Sequence, residues 1–256
     1  MKTLDLSLQS HLFLNEIKRL VKRHPPMLYL PKGSSLPSWT EKEGALIRHI
    51  EKSIQHAEKG ESELNPAILA LEGYSSEKVR HPLNNLCSKG GTRYFEIGTW
   101  KGSTFISALY GNQEALQDAV AIDDWSEFGG PERDFRSHCA QFLSKIKHRF
   151  YAEDCFSIEP KDYFSEPVNL YFYDGNHSTE HHERAFTYFN EVFADPFIAV
   201  IDDWNAYHVR QGTFQAFHKL DYKIAYERVL PAKFSGDKEN WWNGIYLAVI
   251  RKDRQH

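Results

Sequence analysis

Five apolar runs in this chain each end in carboxylates. The first delivers Glu96, the second Asp123 and Asp124, the third Glu153 and Asp154, the fourth Asp174, and the fifth Asp202 and Asp203. Clustered carboxylates repel one another, so their charged forms call for protonation or for a cation. Asp174, Asp202 and Asp203 are the sharpest set, because hard oxygen ligands of this kind suit Mg²⁺, Ca²⁺ or Mn²⁺. The plainer alternative is pairing with Arg or Lys, or solvated loop acids. Asp123, at the end of the second run, is placed to accept hydrogen bonds from ribose hydroxyls. Asp124 is the second choice, and a helix cap or loop acid is the plainer reading. Asp154 either accepts from an exocyclic amine such as adenine N6 or caps a helix beginning near Cys155.

Residues 94–104 read Tyr-Phe-Glu-Ile-Gly-Thr-Trp-Lys-Gly-Ser-Thr, followed by the helix-like run Phe105 to Tyr110. This is a strand, a glycine turn and a helix start. Glycine lets backbone approach a ligand closely, and a helix start offers free N–H groups to an anion. The spacing is Glu96-x-Gly98-x-x-x-Gly102, without the third glycine of the dinucleotide fingerprint G-x-G-x-x-G. An acid at the strand end also repels a pyrophosphate and suits a cationic group such as an amino-acid ammonium. A nicotinamide-dependent oxidoreductase is therefore the weaker alternative.

These side chains need a scaffold that brings strand ends together. Strand-like runs at 93–97, 118–123, 148–153, 168–174 and 197–202 alternate with helical runs at 103–110, 132–147, 155–164 and 179–194. That alternation predicts a parallel sheet covered on both faces, with ligands outside the carboxyl ends of its strands. Tyr222–Val229 and Trp242–Ile250 read as an antiparallel hairpin at the sheet edge. The predicted fold class is α/β: a Rossmann-like, doubly wound, mostly parallel seven-stranded sheet with a C-terminal hairpin and a helical N-terminal extension. The extension covers residues 1–90 and the cofactor-binding domain residues 91–256. Within the extension, Leu12, Phe13, Ile17, Leu20 and Val21 recur at helical spacing, and prolines interrupt residues 24–38. Further helices are expected over about 40–58, over Glu63 to Leu71, and from a cap near Ser76 to Cys87.

With 256 residues, net charge −4 and 41% hydrophobic residues, the chain has the composition of a globular protein with one large core. No basic stripe points to nucleic acid, and no apolar run is long enough for a membrane span. Met1 to Val21 lacks the apolar core of a secretory signal. Cys87, Cys139 and Cys155 are widely spaced, which argues against a thiolate zinc site and for a reducing, cytoplasmic setting.

At these residues the chain resembles the class I S-adenosylmethionine-dependent methyltransferases over roughly residues 90–250. The Glu96-x-Gly98-x-x-x-Gly102 turn is similar to that family's first motif, and Asp123 to its ribose-binding acid. Phe172-Tyr173-Asp174-Gly175-Asn176-His177-Ser178, with Ile201-Asp202-Asp203-Trp204, looks like the divalent-cation-dependent branch of small-molecule O-methyltransferases, of catechol and macrolide-sugar type. The resemblance implies a cofactor-binding set of Glu96, Gly98, Thr99, Gly102, Ser103, Thr104, Asp123, Trp125, Asp154 and Asp174. Gly98 would approach the methionine part, and Thr104 with Ser103 its carboxylate. It implies Asp174, Asp202 and Asp203 as ligands of a cation, Mg²⁺ first, and Asp174 and His177 as the catalytic pair. His177 falls where catechol-type enzymes place a lysine base, a departure that leaves it as base, ligand or structural residue. His181 and His182 are expected at the surface. Tyr207, His208 and Arg210, the stretch Trp241-Trp242-Asn243-Gly244 and the turn Glu72–Arg80 are candidates for the substrate wall and lid. The implied reaction is methyl transfer to a small-molecule hydroxyl. Alternatives are a metal-independent methyltransferase and a non-catalytic protein that binds the cofactor or a partner. A homo-oligomer is expected from the N-terminal periodicity.

Overall fold

The computed structural model describes residues 39–252. The helix expected over Leu12–Val21 and the proline-rich stretch 24–38 lie outside them. The first described helix, α1 (Glu41–Ala57), starts at a capping box: the Thr40 side chain accepts from Glu43 N and the Glu43 side chain accepts from Thr40 N. A short α2 (Pro66–Leu69) follows, and then α3 (Glu77–Cys87), capped by Ser76. The rest alternates as β1 (Thr92–Ile97), α4 (Ser103–Leu109), β2 (Leu116–Ile122), α5 (Glu132–Phe142), β3 (Arg149–Tyr151), α6 (Pro160–Tyr163), β4 (Val168–Tyr173), α7 (Thr179–Thr187), β5 (Phe193–Ile201), α8 (Tyr207–Lys219), β6 (Lys223–Leu230) and β7 (Ile245–Arg251).

The seven strands form one sheet in the order β3-β2-β1-β4-β5-β7-β6. β3, β2, β1, β4 and β5 are mutually parallel, and β7 runs antiparallel to both β5 and β6. The order reverses at β1, where the chain first leaves toward β2 and later returns to β4. In an open α/β sheet that reversal opens a crevice at the strand ends.

Strand alternation divides the core in two. Tyr94, Leu170, Phe172, Ile198, Val200, Leu247 and Val249 face one layer, packed against residues of α1, α3, α4 and α5. Phe95, Ile97, Tyr171, Tyr173, Ala199, Ile201, Tyr246 and Ala248 face the other, with α7 and α8. Successive side chains on a strand point to opposite faces, so a sheet apolar on both faces must be covered on both. Phe95 shows the packing: its ring lies 4.7 Å from Phe164 and 5.1 Å from both Tyr171 and Phe189.

Several expected helices are shorter than the sequence suggested, among them the run 132–147, which ends at Phe142, and Glu63 to Leu71, which gives only α2. The run 155–164 gives only the single turn α6, because Asp154 and Pro160 organise turns there. The run 179–194 stops at Thr187; a 3₁₀ turn (Asn190–Val192) follows and β5 already begins at Phe193. Helix α8 was not anticipated. Among the described residues no helix is long and apolar enough to cross a membrane, and all three cysteines are unpaired thiols.

Candidate active site

The turn after β1 is built by close approach. Gly98 has φ +84, and a Cβ there would sit 2.0 Å from the Asp174 carbonyl oxygen. No other residue type fits both that backbone and that gap. The contact joins the carboxyl ends of β1 and β4, which Asp174 N also ties by donating to Ile97 O at 2.9 Å. Asp123 then clamps the loop from the neighbouring strand. Its Oδ2 accepts from Thr99 N (2.7 Å) and Trp100 N (2.8 Å), and its Oδ1 from Trp125 N (2.8 Å). Trp125 completes the clamp by donating through Nε1 to Trp100 O at 2.7 Å. These bonds match the plainer reading of Asp123 as a loop acid, although the residue also lines the cleft.

The cleft at these strand ends holds about 780 Å³. Gly98, Thr99, Ser103, Thr104, Asp123, Trp125, Asp154, Asp174, His177 and Asp203 line it. Glu96 and Gly102 do not, which corrects the expectation for both. Glu96 is fully buried on the α4 side of the sheet and accepts from Tyr94 Oη (2.5 Å) and Thr104 Oγ1 (2.6 Å). Burial pushes its carboxyl up to about 8. At neutral pH it is largely uncharged, so it offers no charge to a cationic ligand. Gly102 is a packing position, where a Cβ would lie 2.9 Å from the Phe135 ring. Asp154 accepts from Phe156 N at 2.9 Å and so organises its own turn while lining the cleft.

The acid cluster assembles differently from the expected ligand trio. Asp174, His177 and Asp203 each offer one ligand atom, and these lie within 4.8 Å of one another. His177 Nε2 is 2.9 Å from Asp203 Oδ2 and 3.8 Å from Asp174 Oδ1. Asn243 Nδ2 donates to Asp203 Oδ1 at 2.6 Å. Asp202 is buried beneath the group and does not line the cleft; its Oδ1 accepts from Asp203 N at 2.8 Å, while its Oδ2 is buried without a donor. The expected set of Asp174, Asp202 and Asp203 is therefore replaced at the surface of the cleft by Asp174, His177 and Asp203. Asp203 has φ +54, and this left-handed residue turns consecutive acids to different sides.

Electrostatics follow the geometry. Asp174 and Asp203 together raise the His177 imidazole to about 10. Burial opposes ionisation of Asp203, but the bond to His177 outweighs it and holds this carboxyl below the usual carboxylate range. Burial raises Asp174 to about 7, with the Asp203 charge adding to the rise. Burial first, then the charges of Asp174 and Asp203, push Asp202 strongly upward.

His181 and His182 were expected together at the surface, and only His181 is accessible. It lines the cleft and is bonded to Ser178 Oγ at 2.6 Å. His182 is 1% exposed and packs edge-on against Tyr173, and burial lowers its imidazole to about 3. Of the predicted substrate wall, His208, Trp242 and Asn243 line the cleft. Tyr207 does not, Trp241 is core, and Arg210 bonds the carbonyls of Trp204 (2.6 Å) and Asn205 (2.7 Å). The candidate turn Glu72–Arg80 contributes Tyr74 to the lining, and residue-type reasoning missed its companions in an aromatic rim, Trp100 and Phe128, with ring centroids 4.5 Å (Tyr74–Trp100) and 5.6 Å (Tyr74–Phe128) apart. The signal available was an aromatic residue inside the glycine turn and another just before Gly129-Gly130.

This sheet order, with a cleft at the β1/β4 reversal, defines a Rossmann-like methyltransferase fold. Residues 95–204 match the model of a methyltransferase domain family, in keeping with the class I S-adenosylmethionine-dependent methyltransferases. Among solved structures, the chain is similar to the O-methyltransferase from Bacillus cereus in complex with SAH, at 12% identity and a TM-score of 0.51, over 91% of this chain and 97% of that one. It is also similar to TrmN from Thermus thermophilus, at 14% identity and a TM-score of 0.50, over 73% of this chain and 52% of that one. A third similar structure is the O-methyltransferase TomG from Streptomyces achromogenes, in complex with SAM, at 17% identity and a TM-score of 0.47, over 84% and 92% of the two chains. No curated protein matches the chain by sequence.

Proposed function

We propose that this protein transfers a methyl group from S-adenosylmethionine to a hydroxyl of a small molecule, assisted by a divalent cation. The observation that carries the reading is the juxtaposition of the Gly98 turn with the Asp174–His177–Asp203 group in one cleft. The Bacillus cereus neighbour, an O-methyltransferase solved with SAH, supports it.

The donor set fits a hard cation. Asp174 and Asp203 present carboxylate oxygens, and the buried Asp202 Oδ2 lacks a donor, as an oxygen near a cation can. Asp174 and Asp203 would hold the ion, with Asp202 behind them, and His177 would join them only after losing its Nε2 proton. A bound cation supplies Lewis acidity to the acceptor oxygen. The residues do the remainder. Gly98 lets the loop close on the Asp174 backbone at the edge of the cleft, and Thr99, Asp123 and Trp125 fix that loop. Asp154 and Phe156 border the far end of the cleft. His177 holds a proton at Nε2 between two carboxylates. With its imidazole near 10 it is cationic at pH 7. It can accept a proton from the acceptor hydroxyl only after giving up this one.

That cationic His177 also favours a second reading, a metal-independent methyltransferase, in which the imidazolium itself balances Asp174 and Asp203. Calorimetric titration separates the two. The purified chain is titrated with S-adenosylmethionine and with NAD as control, each with and without Mg²⁺. The expected outcome is binding of S-adenosylmethionine but not NAD, with a separate Mg²⁺ heat that disappears in Asp174→Asn. Cofactor binding without any Mg²⁺ heat supports the metal-independent form. If S-adenosylmethionine does not bind, the methyltransferase reading fails.

A further inference from the structure

Arg80 on α3 is 3% exposed, yet among the described residues no carboxylate pairs with it. Its Nη1 donates to the carbonyls of Leu69 (3.1 Å) and Leu71 (2.9 Å), and its Nε is buried with no acceptor. Burial lowers the guanidinium to about 10, with Glu77 on the exposed first turn of α3 opposing the drop. The group stays charged at pH 7. A buried cation without a counter-ion is costly, and arginine cannot relieve that cost by losing its proton. Two carbonyl bonds satisfy one nitrogen and leave the rest of the charge available.

Gly73 supplies an independent observation. A Cβ at that position would lie 1.9 Å from Ser103 Oγ and 3.0 Å from Arg80 Nη2. The Arg80 nitrogen and the Ser103 hydroxyl therefore both pack against Gly73, where no side chain fits between them. Ser103 lines the cleft, and its hydroxyl has no partner among the described residues, whereas the Thr104 hydroxyl is engaged by Glu96. The cleft lining itself contains acids and histidines but neither lysine nor arginine. Nearby Lys101 is paired with Glu72 (2.7 Å) and approaches Asp134 (3.6 Å). A ligand with both cationic and carboxylate groups would find many partners here for its cations, while the unclaimed cation, Arg80, lies behind the lining residue Ser103 and not in the lining itself.

We propose that Arg80, acting with Ser103, is the counter-charge for the carboxylate at the amino-acid end of the cofactor. Arg80 is then a positioning residue, outside the matched segment 95–204, that sets the depth of the methionine arm. The proposal rests on the S-adenosylmethionine reading above. Charge-assisted bonds from arginine to a carboxylate are among the strong ones, so removal of either partner should be felt.

The test compares S-adenosylmethionine with its decarboxylated analogue, which keeps the sulfonium and ammonium. Both are titrated calorimetrically into the full chain, as wild type, Arg80→Met and Arg80→Gln, with far-UV circular dichroism as a folding control. The wild type should prefer the carboxylate form by at least about tenfold. In both variants the preference should shrink to below about threefold, while affinity for the decarboxylated analogue is retained. Arg80→Gln keeps a donor for the Leu69 and Leu71 carbonyls and decides the matter if Arg80→Met does not fold. Equal loss of both ligands in the variants, an undiminished preference in them, or no preference in the wild type overturns the proposal. Wild-type binding without preference removes only the Arg80 role. If neither ligand binds the wild type, the cofactor reading falls and the Arg80 role falls with it.

Discussion

At neutral pH Glu96 keeps its proton because its carboxyl lies under α4 with only two hydroxyl donors. Its folded value near 8, against 4.5 for the ordinary group, has a consequence for stability. Between these values the folded state binds a proton that the unfolded state has lost, so stability falls as pH rises. The contribution is complete below pH 4.5 and disappears as pH passes 8. Its full size is on the order of 5 kcal/mol. Asp174 adds a loss of the same sign between 3.8 and about 7, and His177 adds another from 6.5 through about 10. Glu96→Gln should remove only the first of these. Chemical denaturation at pH 5 and pH 8 should give the variant a shallower decline than the wild type. Parallel declines would show that Glu96 is already ionised in the fold.

At the scale of elements, the site depends on how closely β1 approaches β4. Gly98→Ala would combine a left-handed backbone with a Cβ 2.0 Å from a carbonyl oxygen. It should destabilise the protein by roughly 2 kcal/mol or more and displace Asp174, so that cofactor binding is lost. Gly129→Ala is the control. Its φ is +86, but a Cβ there meets nothing within 4 Å, so only a backbone cost of about 1 kcal/mol is expected. Equal unfolding midpoints for the two variants would mean that the contact between Gly98 and Asp174 is not a constraint. The pattern of strands and helices was legible because apolar runs alternate with amphipathic ones. Helix ends were less so: α6 and α7 stop early because local turns and an incoming strand compete with helical propensity.

For the whole molecule, the apolar spacing of Leu12, Phe13, Ile17, Leu20 and Val21 leads us to propose a homo-oligomer. Light scattering should return a multiple of 29.8 kDa, and the mass of one chain would remove that proposal. Within the described residues, α1 and α3 share one hydrophobic layer with the sheet, through Leu46, Ile50, Leu83 and Leu86 beside Tyr94 and Phe105. Ser76, the cap of α3, ties this layer to the segment before β7 by donating to Asn240 O at 2.5 Å.

The sequence by itself determined the strand-end acids, the glycine turn and the alternation of strands and helices. Each of these is a local pattern that needs no knowledge of what lies across the sheet. Only the tertiary structure decided which acids are charged and accessible. Strand alternation drove Glu96 into the core, and the left-handed turn at Asp203 separated it from Asp202. His177 then filled the place beside Asp174 that residue type alone had given to Asp202. The same holds for the buried Arg80, since its lack of a counter-ion is a property of everything packed around it.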